Sequence, residues 1–330
     1  MAFSAEARAN LTVYTTILGA FGVLISMMVP MFFLTGDSPE ISSSFYIAII
    51  IIGIASTIIM FICSFFLKEN YYAQQEEPLG FWLSLKMCVK NRPFLIFEVN
   101  MFLYVAAYTI LTSAIFFYVD FVLNLDGLLA MVPLAVIFGL LFVCSAIISL
   151  FVKRFGLKWI YIGSLFLASA AFFLSYGIGR TFPIALIGLA FISIGIAGRT
   201  VTEQPIMGDI IDYDEVLTGK RRETTYSGFN AIITKPAISF GNWLYLQIFI
   251  YYGFVKGATT QTASAQTGIM IGFFLVPGIM ILLAAISAIW YPLDGPNWLA
   301  KKAEISRIHQ QKEEQYQLEM YKKNITDKET

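Results

Sequence analysis

Histidine occurs once in 330 residues, at His309 in a polar tail, so neither a histidine-based triad nor a His-rich metal site is open to this chain. Cysteine occurs three times, at Cys63, Cys88 and Cys144, with no metal-ligand spacing and no even disulfide framework. Charge is scarce too. Asp, Glu, Lys and Arg make up 13% of the residues, about half of what a soluble domain carries. The 22 basic and 22 acidic residues cancel, which removes the basic excess expected of a nucleic-acid binder. Nucleophile–base pairs and phosphate loops are lacking, and Gly177-Ile-Gly179 follows no strand, so an enzyme is not expected. What fills the chain is apolar: 58% hydrophobic and 16% aromatic residues, with a mean hydropathy of +0.72. That composition excludes disorder and a pair of ordinary soluble domains.

Eight stretches are long enough to cross roughly 30 Å of hydrocarbon as helices: Leu11–Leu34, Ser44–Leu67, Phe94–Phe121, Leu128–Val152, Trp159–Ile178, Phe182–Met207, Tyr226–Phe254 and Gly268–Tyr291. Helices are required because backbone groups in lipid must be satisfied within the segment. The intervening loops alternate in charge. One set carries Arg8, Lys68, Lys86, Lys90, Arg92, Lys153, Arg154, Lys158, Lys220, Arg221 and Arg222; the other carries only Arg180 and Lys256. The positive-inside rule places the first set, and both termini, in the cytoplasm of a cell-membrane protein. The expected organisation is two helices over residues 1–67, a cytoplasmic linker over 68–93, a six-helix bundle over 94–291 and a solvated cytoplasmic tail over 292–330.

A charge inside a spanning helix costs about 2.5–3.5 kcal/mol on insertion scales, so each one needs a reason. Four lie in helix interiors, Glu98 in the third stretch, Arg199 and Glu203 in the sixth, and Lys235 in the seventh, while Asp120 sits at the outer end of the third. At 1.5 Å per residue, Arg199 and Lys235 lie about 13 Å deep, and the two glutamates about one turn inside the basic boundary. Arg199 and Glu203 share a face at i,i+4. Lys235 precedes Pro236, which removes an amide donor and frees the carbonyl of Ile232. Together with Asn100, Tyr104 and Asn230, these residues predict a water-filled cavity near the midplane where a substrate binds.

After the sixth stretch runs Gly208-Asp-Ile-Ile-Asp-Tyr-Asp-Glu-Val-Leu-Thr-Gly-Lys-Arg-Arg-Glu223, read as a loop with an acidic cluster followed by a basic one. At a membrane boundary such clusters can pair and hold one conformation of a two-state carrier closed. The stretch resembles the signature of the glycoside–pentoside–hexuronide:cation symporters, the melibiose-permease-like branch of the major facilitator superfamily. Asp209, Asp212, Tyr213, Glu215, Thr218, Gly219, Arg221, Arg222 and Glu223 match it, with Lys235 twelve residues on. Asn91-Arg-Pro-Phe94 and Tyr291-Pro-Leu293 are similar to the family as well.

The resemblance implies an all-α, polytopic, major-facilitator-like membrane protein whose eight helices correspond to helices five to twelve of a twelve-helix carrier. It lacks counterparts of the family's second and fourth helices, which carry most of the cation-binding acidic residues. Thr15 stands where many members have arginine, Pro236 replaces a small or aliphatic residue, and Arg199 and Glu203 stand at positions usually apolar or neutral. The implied function is secondary transport of a sugar, glycoside or hexuronide by alternating access, coupled to Na⁺ or H⁺, with no other cofactor. The expected substrate site is Lys235, Arg199, Glu203, Asn230, Asn100 and Tyr104. The expected cytoplasmic gate is Asp209, Asp212, Tyr213, Glu215, Arg221, Arg222 and Glu223. Expected partners are the small-molecule substrate, the bilayer and a separately encoded four-helix N-terminal part. The competing reading is a non-transporting receptor or regulatory remnant of a carrier.

Overall fold

A computed structural model describes residues 43–66, 81–219 and 221–305, with isolated positions 18, 19, 22, 25, 26, 29, 307 and 311. The first expected crossing, Leu11–Leu34, falls outside the described residues apart from those isolated positions, as do most of the linker and the end of the tail. The described chain is helical throughout: α1 (Ser43–Phe66), α2 (Phe81–Lys90), α3 (Arg92–Phe121), α4 (Gly127–Ala130), α5 (Val132–Phe155), α6 (Leu157–Ile178), α7 (Ile184–Thr218), α8 (Glu223–Tyr251), α9 (Ala263–Met270), a π-turn (Ile271–Leu275) and α10 (Val276–Ile289). A last helix, α11, covers 296–305. Six spans among the described residues are long and apolar enough to cross a membrane. Helix α8 has the length, at 29 residues, but is not among those six, and it carries Asn230, Lys235, Asn242 and Gln247. The protein is an all-α polytopic membrane protein.

Helix α1 buries none of its residues against the rest of the described chain. The other long helices form one bundle. Helix α7 packs against α5 and α6, α3 packs against α8 and α10, and α6 meets α10. Exchanging α3, α5 and α6 for α7, α8 and α10 maps this pattern onto itself, so α3 and α7 occupy equivalent central places. Small residues set the closest approaches, as packing in lipid favours. A Cβ on Gly195 of α7 would sit 2.5 Å from the Ala168 nitrogen of α6, and one on Gly241 of α8 would sit 2.6 Å from the Ala106 carbonyl oxygen of α3.

Local chemistry explains the helix ends that frame the site. Asn91 caps α3, its side chain accepting from the Phe94 amide at 3.2 Å, with Pro93 in the first turn. Helix α7 corrects the expectation of a loop after Met207: it runs on to Thr218 and stops at Gly219, whose φ of 70° is the left-handed cap that glycine adopts freely. The acidic residues therefore lie on a rigid helix. The tail is corrected as well. Residues 296–305 are docked rather than solvated, with Trp298 and Ile305 buried at a seven-residue spacing on one face.

Candidate functional site

Arg199 is fully enclosed, at 0% exposure. Its guanidinium carbon lies 4.1 Å from the Tyr104 ring centroid and 5.9 Å from that of Tyr161. One terminal nitrogen donates to Glu203 and the other abuts the Met101 sulfur. The i,i+4 spacing on α7 brings Glu203 onto the cation, while α3 supplies Met101 and Tyr104 and α6 supplies Tyr161. The expected water-filled cavity does not reach Arg199, because aromatic faces, which attract a desolvated cation, surround it instead. The Glu203 side chain keeps 29% of its surface exposed.

The remaining expected site residues separate into distinct groups. Asn100 donates to the Ala284 carbonyl at 2.7 Å and accepts from the Tyr161 hydroxyl at 2.5 Å, so its amide joins α3, α10 and α6. Asn230 of α8 donates to Glu98 of α3 at 3.0 Å. Lys235 stands apart. It is exposed, and it follows Thr234 and precedes Pro236 on a helix that stays continuous through that proline. At about 100° per residue it lies roughly 120–160° round the helix from Asn230, Ala237 and Gly241, on the side away from α3. Ser239 and Asn242 lie one and two turns further along the same face. Among the described residues no carboxylate forms an ion pair with Lys235. The structure thus joins Arg199, Glu203 and Tyr104, joins Asn230 to Glu98, and leaves Lys235 outside both groups. An open depression lined by Gln247, Tyr251 and Ile271 lies roughly 18 Å further along α8 from Lys235, away from these charges.

At the basic end the expected gate residues pair among themselves. Arg221 bonds Asp212 at 2.8 Å, Glu215 at 3.0 Å and Glu223 at 2.7 Å. Burial, the largest single influence, would loosen the Arg221 proton, but the Asp212 and Glu223 carboxylates together outweigh it and raise the pKa, so the guanidinium stays charged. Arg222 pairs with Asp214 at 3.1 Å and touches the Met87 sulfur of α2. Asp209 accepts from the Trp298 indole at 3.2 Å and from Lys302, and Tyr213 lies edge-on to Trp298 at 6.0 Å between centroids. Asn91 donates to the Tyr226 hydroxyl at 2.9 Å.

Several of these partners escape a sequence reading. Met87, Met101 and Tyr161 look like ordinary apolar filling, and nothing in the pattern marks them. Trp298 carried a signal: it is an aromatic residue at the start of a polar tail, one turn before Lys302.

Residues 1–295 match a family described as MFS/sugar transport protein. The chain is 27% identical over 285 residues to a glucuronide carrier protein homolog of Escherichia coli, covering 86% of this chain and 61% of that protein. It is 25% identical to a putative 2,3-dihydroxypropane-1-sulfonate exporter of Salmonella typhimurium, covering 86% and 62%. It is also 25% identical to a putative sulfoquinovose importer of the same organism, covering 77% and 54%. The chain spans about three-fifths of the length of these curated relatives. The family match extends over most of this chain: the chain belongs to the MFS/sugar transport protein family.

Proposed function

We propose that this chain is the substrate-handling part of a secondary transporter for an anionic sugar or a closely related organic anion. The observation that carries the reading is the contrast between the two deep cations. Arg199 is neutralised by Glu203 inside an aromatic cage, whereas Lys235 is exposed and has no ion-pair partner among the described residues. An intramembrane cation is expensive unless it faces protein or a watery cavity. The stripe of Lys235, Ser239 and Asn242 suits a cleft between this bundle and the rest of a carrier, where a carboxylate or sulfonate supplies the missing anion. The relatives' names, with their glucuronide, sulfonate and sulfoquinovose, support an acidic substrate. Coupling to Na⁺ or H⁺, placement in the cell membrane with cytoplasmic termini, and closure against a four-helix N-terminal part belong to the same reading.

The test is uptake by cells producing the chain, alone and together with a four-helix N-terminal half. A glucuronide should enter and a neutral galactoside should not compete. Lys235→Ala should abolish uptake at unchanged membrane insertion, and Lys235→Arg should restore little of it, since a planar fork does not replace a point charge. Competition by the neutral sugar equal to that of the anion would overturn the anionic reading. Membrane insertion with no uptake in either format would favour the non-transporting receptor.

A further inference from the structure

Glu98 is 96% buried, one helical turn inside the basic boundary of α3. One carboxyl oxygen accepts the Asn230 amide at 3.0 Å; the other is buried and meets no hydrogen-bond partner among the described residues. Among the described residues no cation forms an ion pair with Glu98. Helix α8 presents the neutral Asn230 and, behind it, Tyr226, whose hydroxyl takes the Asn91 amide. Helix α7 presents Glu203, within electrostatic reach, and Arg199, already committed to that glutamate. Helix α6 presents the Tyr161 hydroxyl, which donates to Asn100. Helix α2 presents the Cys88 thiol, near Arg222, which is held by Asp214. Helix α9, the π-turn and α10 carry no titratable residue over 263–289, and Tyr291 beyond them donates to the Ile206 carbonyl.

A carboxylate so placed would be a buried charge with one oxygen unsatisfied and a second carboxylate, Glu203, within electrostatic reach. A proton removes that charge. The geometry points to Glu98 as a proton-binding site in this bundle: its carboxyl takes up a proton when α3 and α8 close over it and releases that proton to water when they part. No redox step is involved; the carboxylate gains and loses one proton. Asn230 makes the site conformation-dependent, because its hydrogen bond exists only while the two helices are together. The role as the coupling site of transport rests on the function proposed above; the proton binding itself does not.

Two measurements in liposomes separate these claims: infrared spectra of the full chain, and transport by the full chain alone and together with a four-helix N-terminal part. Infrared difference spectra between acidic and alkaline buffer should show a protonated-carboxyl stretch that Glu98→Gln removes and Glu203→Gln keeps. Asn230→Ala should displace the midpoint of that band without deleting it. A spectrum identical in wild type and Glu98→Gln would overturn the proton site. In transport, the ratio of pH-gradient-driven accumulation to substrate exchange should fall at least tenfold in Glu98→Gln. An unchanged ratio, with the infrared band lost, would overturn the coupling role and leave the proton site standing. Absence of transport by the wild type both alone and with that part would sink the transport reading, and the infrared result would still decide the site.

Discussion

Lys302 pairs with Asp209 across 93 residues of sequence, fastening α11 to the basic end of α7. The Trp298 indole shares the same carboxylate, so one aspartate holds a charge and an aromatic ring on successive turns of α11.

Of these two contacts the ring dominates. Trp298 is 6% exposed, whereas the Lys302 side chain is 41% exposed. Truncating a buried aromatic costs about 3–5 kcal/mol, and a half-exposed ion pair contributes about 1 kcal/mol or less. Trp298→Ala should therefore raise amide exchange over residues 296–305 by about a hundredfold or more, and Lys302→Ala by tenfold at most. Equal effects in hydrogen-exchange mass spectrometry would show that the charge, not the ring, holds α11.

The Arg199–Glu203 pair predicts a non-additive result. Glu203→Gln leaves an enclosed guanidinium without its anion, which costs about 3–5 kcal/mol when one partner of a buried pair is removed. Replacing both, with Arg199→Met and Glu203→Gln, should recover most of that loss, because the aromatic cage accepts an apolar chain. Thermal unfolding of the purified variants in detergent decides the point. A double variant as unstable as the single one would mean that the cage requires the cation itself.

Cys88 reports on the cluster at the basic end. The thiol is 1% exposed, and burial, with help from the Asp214 carboxylate and against Arg222, pushes its pKa up from 9.0 to about 11. Only the thiolate reacts, so at pH 8 roughly one part in a thousand is competent. In a Cys63→Ala, Cys144→Ala background, maleimide should label it slowly. Asp214→Asn removes a carboxylate that raises the thiol pKa and breaks the pair with Arg222, so labelling should speed up at least tenfold. An unchanged rate would detach Cys88 from the cluster.

The same raised pKa fixes a sign for stability. A group that binds its proton more tightly when folded contributes its full stabilisation below the unfolded value near 9, and loses it as pH rises through the folded value near 11. Melting temperatures should fall across that window in wild type, and Cys88→Ser should fall less. A parallel fall in both would assign the alkaline loss to other groups.

Gly241 sets how closely α8 approaches α3, since its added Cβ would meet a backbone oxygen at 2.6 Å. Gly241→Ala should cost about 1–3 kcal/mol through overpacking. It should also disturb the Asn230–Glu98 bond, which bridges the same two helices. Gly163→Ala, where nothing lies within 4 Å, is the control and should be neutral or slightly stabilising. Equal stabilities for the two variants would refute close α3–α8 packing.

The sequence by itself determined the class of the molecule and the places of the long helices among the described residues, because a segment that spans lipid must be helical and apolar over about 20 residues. It also determined which residues were anomalous: Glu98, Arg199, Glu203 and Lys235 stand out against runs whose one other charge, Asp120, lies at an end. Their partners were not legible in the same way. Arg199 and Glu203 could be paired from i,i+4 spacing alone, but the cage of Met101, Tyr104 and Tyr161 comes from two other helices. The end of α7 was misplaced because charge after Met207 reads as a boundary, whereas the helix continues until Gly219 allows a left-handed turn. Only the tertiary structure decided that Lys235 faces away from the other charges and that Trp298 reaches Asp209. Spacing along a helix sets which face a side chain takes, while the neighbour that the face meets depends on how distant helices pack.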